Sequence, residues 1–140
     1  MQDLMNSIAP VVAIAPVAAA TDTVLKSGNI SLLGYNSATF IIQTGDLTDA
    51  DATFAVEIKE GDTTTQTAHV AVGDVDLIGT EADASFQFDD DTKCFKIGYS
   101  GGKDNVSIEI TPTGNTANAL IAVVCVLGHP HERPTANPPA

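Results

Sequence analysis

The pattern that most constrains this fold is a period of two. In residues 53–59, Phe54, Val56 and Ile58 fall on one face, while Thr53, Ala55, Glu57 and Lys59 fall on the other. A strand with one buried face requires that alternation. The run 38–44 is apolar on both faces at Phe40, Ile41 and Ile42, which predicts a more central strand. An acidic loop joins the two, so residues 34–61 read as the core hairpin of a β protein.

The same logic extends along the chain. Residues 11–19, with Pro16 inside them, either pair at a sheet edge, where proline is tolerated, or run over a neighbouring subunit. Residues 21–33 give two short extended pieces around the turn Ser27-Gly28-Asn29. Residues 66–72 alternate with Ala68, Val70 and Val72 opposite Thr67, His69 and Ala71, which leaves His69 exposed. The acidic segment 73–83 is too short for a stable helix and reads as a crossing between sheets, with room for one turn. Phe86 and Phe88, then Phe95, Ile97 and Tyr99, then Val106, Ile108 and Ile110 mark further inward faces. Residues 119–127, ALIAVVCVL, are apolar on both faces and read as a strand buried in the middle of the protein, although periodicity leaves a buried helix open. Turn signals between about eight to ten short strands predict an all-β antiparallel sandwich, with a jelly roll as one form. The expected division is an N-terminal arm or edge strand (1–20), a β-sandwich domain (21–128) and a proline-rich C-terminal tail (129–140).

Composition bounds the function. At 140 residues the chain fits one domain with a sizeable core. It carries 18 Asp and Glu against 6 Lys and Arg, a net charge of −12. A phosphate-backbone binder needs clustered Lys and Arg, so nucleic acid and anionic membranes are excluded as expected partners. Residues 45–91 hold 13 acids and a single base, Lys59. The apolar run 8–20 lacks the basic flank of a signal peptide and is too short to span a bilayer as a helix, so a cytoplasmically made protein is expected. Cys94 and Cys125 match no metal or redox spacing and read as buried free thiols.

Candidate sites are few. Asp46, Asp49 and Asp51 offer oxygen ligands for a hard cation, but lack the glycine and distal Glu of an EF-hand loop, so a solvated loop is the expectation. Asp89, Asp90 and Asp91 receive the same reading. His129, His131 and Glu132 gather in the tail, yet one short segment cannot close a tetrahedral metal shell. No nucleophile elbow, Cys–His signature, P-loop or dinucleotide glycine pattern is present. The expectation is therefore a non-enzyme with no catalytic residues, no metal and no cofactor.

Four runs carry a family resemblance: TGDLTDADATFAVEIKEGD at 44–62, DLIGTEADASFQFDDD at 76–91, KIGYSGGKDNVSIEITPTGNT at 96–116 and VVCVLGHPHERPT at 123–135. They resemble a family of small virion structural proteins encoded among the head genes of tailed bacteriophages and prophages, similar to capsid decoration (cement) proteins. The resemblance covers most of the chain from Ser37 onward and brings no catalytic residues with it. It implies a head-stabilising protein on the capsid surface, made in the host cytoplasm, bound to the major capsid protein lattice and trimeric. The two proline-rich segments at the chain ends are the expected contacts with the shell. Competing readings are a head–tail connector or tail component and, from another class, a secreted carbohydrate-binding β-sandwich. The last predicts exposed aromatics for sugar stacking, which a chain with no Trp supplies poorly.

Overall fold

The computed structural model describes residues 2–139. Its strands are β1 (Ile8–Ala19), β2 (Leu25–Lys26), β3 (Ile30–Ser31), β4 (Tyr35–Leu47), β5 (Thr53–Gly61), β6 (Val70–Ala71), β7 (Leu77–Ile78), β8 (Phe86–Gln87), β9 (Cys94–Tyr99), β10 (Asn105–Thr113) and β11 (Ala119–Pro130). One helical turn, α1, spans Glu81–Ala84. The segment after β6 does cross between sheets, as its composition predicts.

Every pairing is antiparallel. The first sheet runs β1-β11-β4-β9-β7, and the second runs β2-β10-β5-β6, with β3 also on β10 and β8 on β5. Taking β2 and β3 as one interrupted strand, and setting aside the short β7 and β8, eight strands remain. Numbered along the chain, they lie in the orders 1-8-3-6 and 2-7-4-5. That order is a jelly roll, two interleaved Greek keys closed into a sandwich.

The expected hairpin is not one. β4 pairs with β11 and β9, whereas β5 pairs with β10, β6 and β8. The two strands face each other across the core. Alternation specifies which face of a strand is buried but is silent on which neighbour supplies its hydrogen bonds. Five residues, 48–52, bridge the roughly 10 Å between the layers. Phe40, Ile42, Ile97, Ile121 and Val123 project from the first sheet against Phe54, Ile58, Val106, Ile108 and Ile110 from the second, all fully or almost fully buried. Stacked rings of Phe54, Phe86 and Phe95, with centroids 4.8 and 5.7 Å apart, close one side of this core.

The N-terminal segment belongs to this sandwich. β1 registers with β11 from Ile8 opposite Gly128 to Ala19 opposite Ala119, and Ala9, Ile14 and Ala19 are buried in the core. Residues 8–19 therefore do not form an arm reaching over a neighbour. Removing residues 1–20 would strip an edge from the central strand β11, so a truncation that folds normally is not expected. The tail also returns to the body: the Thr135 hydroxyl donates to the Ile8 carbonyl at 2.6 Å.

Residues 66–72 depart from the expected strand. A 3-10 turn at Gln66–Ala68 shifts the phase, so Val70 is exposed while His69 and Val72 are buried. Gly61 makes room for this: a Cβ there would lie 2.7 Å from the His69 ring.

Candidate interaction surfaces

The acidic loops meet at one pole of the sandwich, where they act as staples. Asp49 accepts the Thr116 N–H at 2.7 Å and its hydroxyl at 2.8 Å. Asp22 accepts the Asn115 N–H at 2.7 Å, and Asp91 accepts the Leu47 N–H at 2.8 Å. Asp90 accepts the Gln87 N–H at 2.9 Å and pairs with Lys93 at 2.7 Å. Charge-assisted bonds of this kind fix loops to one another. Thr116 holds the Asp49 carboxyl well below its usual range, while hydrogen bonding to Asp49 and its charge push Asp51 up. Asp46 and Asp89 are exposed. The expectation of merely solvated loops is corrected for Asp49, Asp90 and Asp91. Among the described residues no group of three or more His, Cys, Asp or Glu converges as a metal-ligand set.

The opposite pole gathers both chain ends. His129 Nδ1 meets Ser37 Oγ at 3.0 Å, and His131 Nε2 meets Asn36 Oδ1 at 3.0 Å. The two histidines thus serve different neighbours along β4, and Glu132 is exposed. Across the interior the Tyr99 hydroxyl donates to Glu60 and accepts the Lys103 N–H, tying the sheets together. Burial, reinforced by Glu60, pushes that hydroxyl well above its usual range. Outward from this pole project Leu4, Met5, Leu33 and Val75, exposed by 66, 65, 70 and 90%. The Tyr35 N–H bond to Leu32 and the Ser100 N–H bond to Asp76 place the Leu33 and Val75 loops beside the strand ends there.

The two outer faces of the sandwich differ in chemistry. On the second sheet Glu109 lies directly opposite Glu57, an arrangement that repels. Lys59 resolves it, with Nζ 2.8 Å from Glu109 and 3.3 Å from Glu57. Lys26 and the Gln66 amide complete the shell around Glu109. Burial alone would raise the Glu109 carboxyl, but Lys59 and Gln66 hold it below the ordinary range; Lys59 is raised in turn, chiefly by its bond to Glu109.

Beside them His69 Nε2 meets the Thr63 carbonyl at 2.9 Å and Nδ1 meets Ser107 Oγ at 2.9 Å. A carbonyl only accepts, so Nε2 carries a proton, and in the neutral ring Nδ1 then accepts from the serine. A Ser–His pair is the arrangement of an activated nucleophile. Here Ser107 is completely buried beneath the 66–72 segment, out of reach of any substrate. Its role is to hold that segment on the sheet.

The first sheet leaves its outer face bare. The register sets Val12, Val124, Ile41 and Lys96 in one row across four strands, and Pro10, Val126, Thr39, Gly98 and Ile78 in another. Ala18 and Leu120 form a third. Of the 18 acidic residues only Asp46 lies in a strand of this sheet, and Lys96 is its one base. Cys94, read from the sequence as buried, is exposed at the margin of this face, whereas Cys125 is buried and burial pushes its thiol up to about 12. Near one end a shallow groove of about 360 Å³ runs over Pro16, Ala18, Gly45, Leu120 and Ala122. The two-faced apolar pattern of 119–127 placed β11 correctly at the centre of a sheet. It did not disclose that the Leu120, Ala122, Val124, Val126 side would stay uncovered.

The fold and these surfaces define a jelly-roll β-sandwich with an acid-stapled pole and one nearly uncharged sheet face. No protein-family model matches the chain, and no curated protein sequence does. Among solved structures it is similar to the SPBc2 prophage-derived protein YomS, 10% identical, covering 86% of this chain and 91% of that one with a TM-score of 0.50. A family 35 carbohydrate-binding module from Clostridium thermocellum is 10% identical over 84% of this chain and 97% of its own, with a TM-score of 0.45. At 10% identity the likeness to the prophage-derived protein is one of fold alone. No helix among the described residues is long and apolar enough to cross a membrane.

Proposed function

We propose that the protein is a non-enzymatic component of a bacteriophage virion, a decoration protein that binds the major capsid protein lattice and stabilises the head. The observation that carries this reading is the pole of exposed apolar tips, Leu4, Met5, Leu33 and Val75, on a chain of net charge −12. Such tips are suited to insertion into recesses of another protein surface, while the surrounding acid repels packaged nucleic acid and keeps the free protein soluble. The resemblance of the chain from Ser37 onward to phage head-gene products supports it. The similarity in fold to a prophage-derived protein agrees with a phage origin. Copies act as a small homo-oligomer, three at a lattice position, made in the host cytoplasm and ending on the capsid surface. In place of free arms, the shell contact is the clasped pole where residues 4–7 and 129–135 meet.

The sugar-binding alternative needs an aromatic platform. Among the described residues the most exposed aromatic side chain is Phe88, at 38%, and it sits at the acidic pole.

Shells assembled without this protein, mixed with the purified chain and sedimented, provide the test. Wild type should co-sediment to saturation at a fixed ratio to the capsid subunit. Leu33→Asp and Val75→Asp should fold normally and bind at least tenfold more weakly, because an interfacial carboxylate would be desolvated without a partner. Phe88→Asp at the opposite pole should bind as wild type. No co-sedimentation of wild type, or undiminished binding by both pole variants, would overturn the assignment.

A further inference from the structure

We infer that the outer face of β1, β11 and β4 is a subunit interface, occupied by a second copy of this chain. The argument begins with charge. Two copies that each carry −12 repel over most of their surfaces, and the strands of this sheet contribute one acid and one base to the whole face. Like chains can approach there with least penalty. The same composition excludes charged occupants by chemistry. One lysine offers nothing to a nucleic acid or an anionic lipid surface, and one aspartate offers nothing to a cationic partner.

Shape supports the same occupant. The face holds both a protrusion and a concavity. Val12 stands out from the edge strand at 66% exposure, and the groove over Leu120 is kept open by Gly45, where a Cβ would fall 2.9 Å from the Leu120 Cβ. Identical surfaces that dock on each other need both features. The three strands, 12, 12 and 13 residues long, give roughly 600 Å² at about 4.8 Å spacing, so two copies would bury about 1,200 Å² in all, the lower end of the range for a specific interface. Association through sheet edges is disfavoured. β1 carries Pro10 and Pro16 and two register shifts against β11, while the edges of the second sheet, β2 and β6, are two residues each. Prolines, bulges and short edge strands all blunt edge-to-edge pairing. What remains for association is the face.

Sedimentation velocity on the purified full chain tests this without any shell, so its outcome is separable from that of shell binding. Wild type should sediment at two or three times the 14.4 kDa of one chain across micromolar concentrations. Val124→Asp, at the middle of the face, should return it to a single chain and raise the dissociation constant at least tenfold, with the thermal melt of a folded protein. Should Val124→Asp fail to fold, Val12→Lys on the exposed edge strand reads the same effect. Val70→Asp, exposed on the other sheet, should leave the mass unchanged. A wild type that stays at one chain mass throughout would overturn the inference, as would an oligomer that survives both face substitutions. A chain that is single in solution and associates only on shells would give the face to the shell instead, and would equally refute it.

Discussion

The two outer faces of this sandwich began from similar materials and ended differently. The first has three long strands, β1, β11 and β4, and the second has two, β5 and β10, each set flanked by shorter pieces, and each outward row is set by the same alternation. On the second sheet the chain supplied polar outward residues, Ser107 and Glu109, and then folded residues 63–72 over them with a matching partner for each. On the first sheet it supplied Val124, Val126, Ile41 and Val12 and folded nothing over them. A strand's pattern therefore states how each face wishes to be solvated, and leaves open whether the cover comes from its own chain.

The covered face is the easier of the two to break. Glu109→Ala removes the carboxylate that two lysines and Gln66 surround, and should destabilise by about 2–3 kcal/mol, since Lys59 keeps only Glu57. Urea unfolding would measure it, and a change below half that size would mean the network is solvated. His69→Ala comes next. It orphans the Ser107 hydroxyl and uncovers the sheet, for an expected loss of about 1–2 kcal/mol. Backbone exchange should rise over residues 63–72 more than elsewhere.

The third effect is smaller and depends on pH. The Glu109 carboxyl sits below its ordinary range when folded, so its contribution is present above the unfolded value of about 4.3 and is lost as pH falls through the folded one. Glu109→Gln should thus be less stable than wild type near neutrality, and the gap should narrow steadily as the solution is acidified below about pH 5. A gap constant with pH would remove Glu109 from the network. Smallest of all, Val12→Thr on the bare face should change the stability of a single chain by no more than about 0.5 kcal/mol, because nothing in the chain covers it. A larger loss, measured in dilute solution, would show that the face is already buried.

Much of the fold was legible. Phe54, Val56 and Ile58 point inward as their spacing requires, and so do Phe95, Ile97 and Tyr99. The run 119–127 lies at a sheet centre. Pairing was not legible, because β4 and β5 follow each other in sequence yet belong to different layers, and a side-chain period says nothing about hydrogen-bond partners. His69 was misplaced for a local reason: the 3-10 turn at Gln66–Ala68 breaks the two-residue period one position before it. The acidic clusters resisted reading because a carboxylate's partner is a backbone N–H on a distant loop, such as Thr116 for Asp49. Backbone donors carry no signature in a sequence.

The position of β11 has a consequence in time. It is the last made of the described strands, and it lies between β1 and β4, bonded to both along nearly their whole lengths. Until residue 130 has left the ribosome, the first sheet has no centre, and the apolar flanks of the first and fourth strands wait unpaired. Folding that depends on so distant a pairing is slow, and an incomplete chain exposes sticky edges while it waits. A message truncated before residue 119 would yield not a smaller sandwich but an aggregate.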